Sequence, residues 1–272
     1  MEEKKLIDIK KIIGDKNPKL LKFLPTFLIN YIKKVLHEND VNEVIRLNKL
    51  KCNQDFCQAV IDRFNIKIEV EGIENVPLNG GVTLAMNHPL GGMDAMALVT
   101  ALKNQRSDLK FIVNDILLHL DSMNGMFVGV NKHGKNSNSN LLKIDEIFSS
   151  GNAVCIFPAG LVSRKINGKV QDLEWKKTFV SLSIKHNQPI VPVYIDGKLS
   201  NFFYRLANFR KSIGIKANIE MFFLVDELFK QKDVTMKLIF GKPIYPEMLD
   251  KSKSQKGWAE EIRRQVYSFS EK

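Results

Sequence analysis

The stretch Met86-Asn87-His88-Pro89-Leu90-Gly91-Gly92-Met93-Asp94 sets an imidazole and a carboxylate six positions apart, with two glycines between them. A neutral imidazole accepts a proton near pH 7, and a carboxylate on its other nitrogen fixes the tautomer and stabilises the cation that forms. The glycine pair lets the chain fold back so that Asp94 can reach His88. On spacing alone, the same residues also read as a His and an Asp flanking a turn. A second stretch, Phe157-Pro158-Ala159-Gly160-Leu161-Val162-Ser163-Arg164-Lys165, offers a glycine for close backbone approach, backbone amides and two cations. Such a run suits an anionic group, whether a phosphate, a carboxylate or a developing oxyanion. Its plainer reading is a basic turn with solvated cations. Ser163 lies outside a nucleophile-elbow pattern and Cys155 sits in an apolar run, so a covalent intermediate is not expected.

The elements that must position these residues alternate in type. Residues 66–70 alternate apolar and polar as a half-buried strand does, 76–81 read as a turn, and 81–86 as a buried strand leading straight into His88. Strand-like runs recur at 109–113, 127–130, 153–157, 190–195 and 235–240, with helix-like stretches at 94–102, 139–148 and 175–185. The expected fold class is therefore α/β, a mixed and largely parallel sheet flanked by helices. Ligands in such sheets bind where loops leave the strand ends, which is where both stretches fall.

With Asn87-His88…Asp94 and Phe157-Pro158-x-Gly160 in place, two further blocks follow in order. They are Trp175-Lys-Lys-Thr-Phe179 and Pro189-Ile-Val-Pro192-Val193. The ordered set, over roughly residues 81–245, resembles the glycerophospholipid acyltransferase superfamily, which includes the lysophosphatidic acid acyltransferases. The resemblance implies that His88 is the general base and Asp94 orients it. It implies that Phe157, Pro158, Gly160, Ser163, Arg164 and Lys165 bind the acceptor's polar head, and that the strand around Pro192 helps form the acyl site. Asn87 joins the substrate-binding set, and Val130-Asn131-Lys132 is the nearest match to the family's intermediate block, with Lys132 in place of Arg. Two features depart from the family: five residues rather than four separate His88 from Asp94, and Ala159 stands where Glu is usual. Both resemble a bacterial hemolysin-like branch that includes O-acyltransferases of lyso-aminolipids such as glycine and ornithine lipids. The implied reaction moves a fatty acyl group from acyl-CoA or acyl carrier protein to a lyso-lipid hydroxyl, with no metal or other cofactor. The rival readings are a lipid esterase or thioesterase, in which the same pair activates water, and a non-catalytic lipid-binding protein.

The formal charge of +11 calls for an anionic partner. Nucleic acid ranks last, because no recognition helix, aromatic strand motif or zinc spacing is present. Acidic lipid fits better. Between residues 20 and 36 an apolar stripe (Leu20, Leu24, Phe27, Leu28, Tyr31, Ile32, Val35) is flanked by Lys, and residues 1–37 hold nine Lys against four acids. That pattern reads as an interfacial helix or as one whose stripe packs on its own domain. From Gly197 to Ile219 five cations and no acid are interleaved with Phe202, Phe203, Tyr204 and Phe209. No apolar run reaches the roughly 20 residues that span a bilayer, and the N-terminus lacks a signal-peptide pattern. The expected location is peripheral, on the cytoplasmic face of the inner membrane. The expected domains are a membrane-associating helical segment (1–60), the acyltransferase domain (61–249) and a C-terminal helix (250–272). The three cysteines and the scattered His37, His119, His133 and His186 show no metal-ligand spacing.

Overall fold

The sheet gathers residues from both ends of a long stretch of chain. In this computed structural model, residues 7–113, 120–129 and 137–271 are described. They divide into a helical unit, from the described parts of Met1–Lys51 with Ser200–Lys232, and a sheet unit, Cys52–Leu199 with Asp233–Lys272. The division differs from the boundaries expected at 60/61 and 249/250. Helix α5 (Asn53–Arg63) buries Phe56, Cys57, Val60 and Ile61, and so belongs to the sheet unit.

The helical unit contains α1 (Ile9–Lys16), α2 (Pro18–Phe23), α3 (Thr26–Val35) and α4 (Glu38–Leu47), joined by α9 (Asn201–Ser212) and α10 (Leu224–Phe229). The single helix expected over 20–36 is broken. Pro25 is extended (φ −61°, ψ 147°) and serves as the N-cap of α3; a proline also disfavours helix at the residue before it. The expected stripe splits accordingly. Of its residues, Val35 is buried and Leu24, Leu28 and Ile32 are half-buried, whereas Phe27 and Tyr31 face outward. His37 links the two halves of the unit: its ring nitrogens meet Asp40 at 2.9 Å and Asp226 at 3.0 Å, and it stacks on Phe229 at 4.2 Å.

In the sheet unit, β1 (Lys67–Glu71), β2 (Val82–Met86), β3 (Leu109–Val113), β4 (Phe127–Gly129), β5 (Ala153–Ile156), β8 (Ile190–Ile195) and β9 (Thr235–Phe240) form one seven-stranded sheet in the order β1-β9-β8-β2-β5-β3-β4. Every pairing is parallel except β8–β9. Strand β2 is fully buried, as a central strand covered on both faces must be. On one face, α8 (Thr178–Lys185) and α11 (Gln255–Ser268) build a core of Ala85, Trp175, Phe179, Ile190, Ala259, Ile262 and Val266. Helices α5 and α6 (Gly92–Ala101) pack together, and α7 (Ser137–Ser149) joins β4 to β5.

Pro192 lies in β8, which is not an edge strand, where proline is usually excluded. Its carbonyl accepts Gly241 N–H at 2.8 Å, one residue beyond the last ladder pair, Val193–Phe240. Pairing on that side resumes beyond it at the Ile190–Ile244 bridge, so the proline sits at an interruption of the β8–β9 ladder.

Candidate active site

His88 stands in the loop that carries the chain out of β2 and into α6. Gly91, at φ 73° and ψ −129°, makes the turn that a side chain would resist. Asp94 then falls in the first turn of α6, and its Oδ2 lies 2.8 Å from His88 Nδ1. The Leu90 N–H also donates to the Asp94 carboxylate, at 3.0 Å. The five-residue spacing between His88 and Asp94 therefore still closes the pair. Asp94 is fully buried and the His88 side chain 18% exposed. Burial pushes the Asp94 carboxyl above the usual carboxylate range, while the His88 contact and Leu90 N–H pull the other way. A carboxylate accepts, so Nδ1 carries the hydrogen and Nε2 keeps a lone pair. Among the described residues Nε2 has no hydrogen-bond partner. A buried anion on one side of the ring and an open nitrogen on the other is the arrangement of a general base.

The second stretch leaves β5, the parallel neighbour of β2, with Ala85 opposite Ile156. That register brings Phe157 beside His88, and the rings stack at 3.9 Å with 23° between planes. Pro158 is buried. The Gly160 N–H closes the turn on the Phe157 carbonyl at 2.9 Å, so this amide is committed to the loop. Ser163 N–H donates to the His88 carbonyl at 2.7 Å. Arg164 is buried and donates to the Val162 carbonyl at 2.6 Å.

Arg164 and Lys165 lie in a strand rather than a loop. They belong to β6 (Arg164–Ile166), paired antiparallel with β7 (Lys169–Gln171). Asn167 and Gly168, both at positive φ, form the two-residue turn, and Asn-Gly is the strongest short signal for such a hairpin. Continuing the register beyond Arg164–Gln171 sets Asp172 opposite Ser163. The Ser163 Oγ–H donates to Asp172 Oδ1 at 2.6 Å.

Sequence reasoning missed Asp172 and the two residues of α11 that hold it. The Asp172 N–H donates to the Tyr267 hydroxyl oxygen at 2.6 Å, and Arg263 donates to the Asp172 carbonyl at 2.8 Å. The hairpin signal could have found Asp172; nothing local points to Tyr267, 95 residues away.

Asn87 is buried with both ends of its amide engaged: Nδ2 donates to the Ile195 carbonyl at 2.8 Å and Oδ1 accepts the Ile195 N–H at 2.7 Å. It stitches the end of β2 to β8 in the manner of a ladder pair. Pro192 is buried in β8 opposite Ala85. Lys132, His119 and His133 lie outside the described residues. A cavity of about 490 Å³ in the helical unit, lined by Asn30, Lys33, Lys34 and His37, includes none of the candidate residues. Cys57 and Cys155 are buried free thiols; burial pushes Cys57 up to about 12, far from a nucleophile's range.

Known proteins share this architecture. The acyltransferase family profile matches residues 11–272. A lyso-glycine lipid O-acyltransferase of Bacteroides thetaiotaomicron is 42% identical over 265 residues, covering 97% of this chain and 97% of that protein. A second, from Phocaeicola vulgatus, is 40% identical over 265 residues, covering 97% and 95%. The crystal structure of the 1-acyl-sn-glycerophosphate (LPA) acyltransferase PlsC from Thermotoga maritima superposes with a TM-score of 0.51 at 20% identity, covering 97% of this chain and 94% of that one. The profile match and the two relatives each span nearly the whole sequence: the chain belongs to the acyltransferase family and is an acyltransferase.

Proposed function

We propose that this enzyme moves a fatty acyl group from an acyl thioester, carried by coenzyme A or acyl carrier protein, to the hydroxyl of a lyso-lipid in membrane-lipid biosynthesis. The proposed acceptor is a lyso-aminolipid, lyso-glycine lipid first and lyso-ornithine lipid second, with lysophosphatidic acid as the alternative. The names of the two relatives support the first choice, as does Ala159 in place of the usual Glu. One observation carries the chemistry: His88 is held at Nδ1 by buried Asp94 and keeps Nε2 open.

In the proposed step the acceptor O–H gives its proton to His88 Nε2 as its oxygen attacks the thioester carbonyl carbon. Asp94 stabilises the imidazolium formed. The tetrahedral intermediate collapses, the C–S bond breaks, and the imidazolium returns the proton to the departing sulfur. Ester and free thiol are the products. Such a base contributes on the order of 10²- to 10⁴-fold. Arg164 and Lys165 give the Phe157–Lys165 stretch its positive charge, suited to an anionic or zwitterionic head group. All of this is side-chain chemistry, and the thioester enters as co-substrate.

The helical unit is proposed to rest on an anionic membrane surface, the cytoplasmic face of the inner membrane. Phe23 and Phe27 are 85% and 74% exposed beside Lys22 and Lys34, and α9 turns Phe202, Arg205 and Phe209 outward. Exposed aromatics among cations suit a lipid interface. No helix among the described residues is long and apolar enough to cross a membrane.

The test supplies the purified enzyme with an acyl thioester and vesicles bearing each lyso-lipid in turn, with products read by mass spectrometry. Diacylated lipid with stoichiometric free thiol is the expected result. Free fatty acid as sole product would make the enzyme a hydrolase, and lipid retention without turnover would make it a lipid-binding protein.

A further inference from the structure

Asp172 is 1% exposed, and both oxygens of its carboxylate are filled. Oδ1 accepts the His88 backbone N–H at 3.2 Å and the Ser163 hydroxyl at 2.6 Å; Oδ2 accepts the Trp175 indole N–H at 2.9 Å. The His88 carbonyl in turn accepts the Ser163 N–H at 2.7 Å. Both backbone groups of the histidine are thus gripped by the pair Ser163–Asp172, as they would be in a sheet ladder, although His88 belongs to no strand. Asp172 itself is held by its own backbone to Tyr267 and Arg263 of α11.

A buried carboxylate is an expensive way to join two loops. Taking it out of water carries a desolvation cost that its hydrogen bonds only offset, and an apolar contact of the same volume serves stability as well. What the carboxylate adds is direction, because two fixed oxygens define where the His88 backbone must sit.

We propose that Asp172 is a positioning residue for acyl transfer: anchored by Tyr267 and Arg263, it clamps the His88 loop to the Ser163–Arg164 hairpin and so fixes where the imidazole stands. The proposal rests on the reading of His88 as general base. It acts through His88 and touches neither substrate. Losing the clamp leaves the His88–Asp94 pair free to drift, and a displacement of about 1 Å at a reacting group is worth on the order of 10²-fold in rate.

The test compares D172N with the double variant D172N/W175F. The amide keeps the acceptor needed by His88 and Ser163, but turns an N–H₂ toward the Trp175 N–H, donor against donor. Replacing the indole removes that conflict. Expected for D172N is a kcat about 100-fold down with KM for thioester and lyso-lipid within about twofold, and recovery of most of the loss in the double variant. Y267F, which removes only the anchor's hydroxyl, serves should D172N fail to fold; its kcat falls about threefold to tenfold at unchanged KM.

A second readout needs no turnover. The His88 Nδ1–H gives a downfield proton resonance, assigned by its loss in H88A; in D172N it broadens through exchange with water, and in the double variant it sharpens again. An unchanged resonance together with kcat within about threefold of wild type would overturn the proposal, as would kcat and KM changing together in every variant. Wild-type enzyme inert toward every lyso-lipid, with the resonance still responding to Asp172, would instead sink the lyso-lipid reading and leave the clamp standing.

Discussion

The two units of this chain differ in what they turn to solvent. In the sheet unit the polar groups near His88 are sealed in and satisfied: Asn87 by the Ile195 backbone, Asp94 by His88 and Leu90, Asp172 by three donors. In a dry interior each such group must be paired, and paired groups hold one geometry. The helical unit also seals in paired carboxylates, Glu38, Glu220 and Glu227, but it turns Phe23, Phe27, Tyr31, Phe202, Phe209 and Ile213 to solvent. Chemistry needs a position fixed to a fraction of an ångström, whereas a fluid surface asks only for area and charge. The first is built from register and hydrogen bonds, the second from composition on an outer face.

The sharpest way to break this contrast is His88→Ala. Removing the base takes out on the order of 10³- to 10⁴-fold of kcat, measured as diacyl lipid formed per minute, while vesicle association stays at the wild-type level. Activity within about tenfold of wild type would remove His88 from the mechanism. Parallel loss of vesicle binding would mean that the two units do not divide the labour.

Asp94→Asn comes next, at about 10³-fold in kcat, because an amide in place of the carboxylate can force the other imidazole tautomer. Its effect on stability has the opposite sign. Burial holds the Asp94 carboxyl above its ordinary value, so the folded state binds this proton more tightly than the unfolded chain does. The contribution of the group to stability is then fully present below about pH 3.9 and is lost as pH rises through the folded value. At pH 7 the ionised carboxylate costs stability, and D94N should melt no lower than wild type in a thermal scan. A Tm several degrees lower would make Asp94 first a structural anchor.

The contrast also explains what could be read from the residues alone. Strands β3, β8 and β9 lie where their apolar runs put them, because a buried strand bounded by turn residues has few other ways to fold. His88 and Asp94 were legible because one glycine-rich loop carries both. Helix α8 starts at Thr178 rather than at Trp175, because the Trp175 ring is drawn in to Asp172. The Arg164–Gln171 hairpin hides within a run that reads as a basic loop, although Asn167-Gly168 marks its turn. The joining of residues 200–232 to the N-terminal helices rests on contacts such as His37–Asp226, across 189 residues, which no local pattern carries.

The helical unit can be tested by itself. Phe23→Ser and Phe27→Ser each remove an exposed ring from the proposed membrane face. If about half of each ring's burial is realised at an interface, each costs about 1.4 kcal/mol, or tenfold in vesicle partitioning. Sedimentation with anionic vesicles measures it. Turnover of detergent-dispersed acceptor should not move, since neither residue belongs to the sheet unit. Unchanged partitioning in the double variant would shift the membrane reading away from α2 and α3.

Salt gives the smallest effect and separates charge from apolar area. At about 1 M salt the Debye length falls to about 3 Å, and exposed charges such as Lys22, Lys34, Arg205 and Lys211 lose most of their pull on an anionic surface. The His88–Asp94 pair, in contact at 2.8 Å with its carboxylate fully buried, is screened far less. Partitioning onto anionic vesicles should therefore drop about threefold to tenfold, while kcat on detergent-dispersed acceptor holds. Neutral vesicles should bind more weakly at low salt and show almost no salt dependence, because the aromatic contribution remains. A kcat that fell in step with vesicle binding would put surface charge into the catalytic step itself, and the division between a sealed site and an open face would fail.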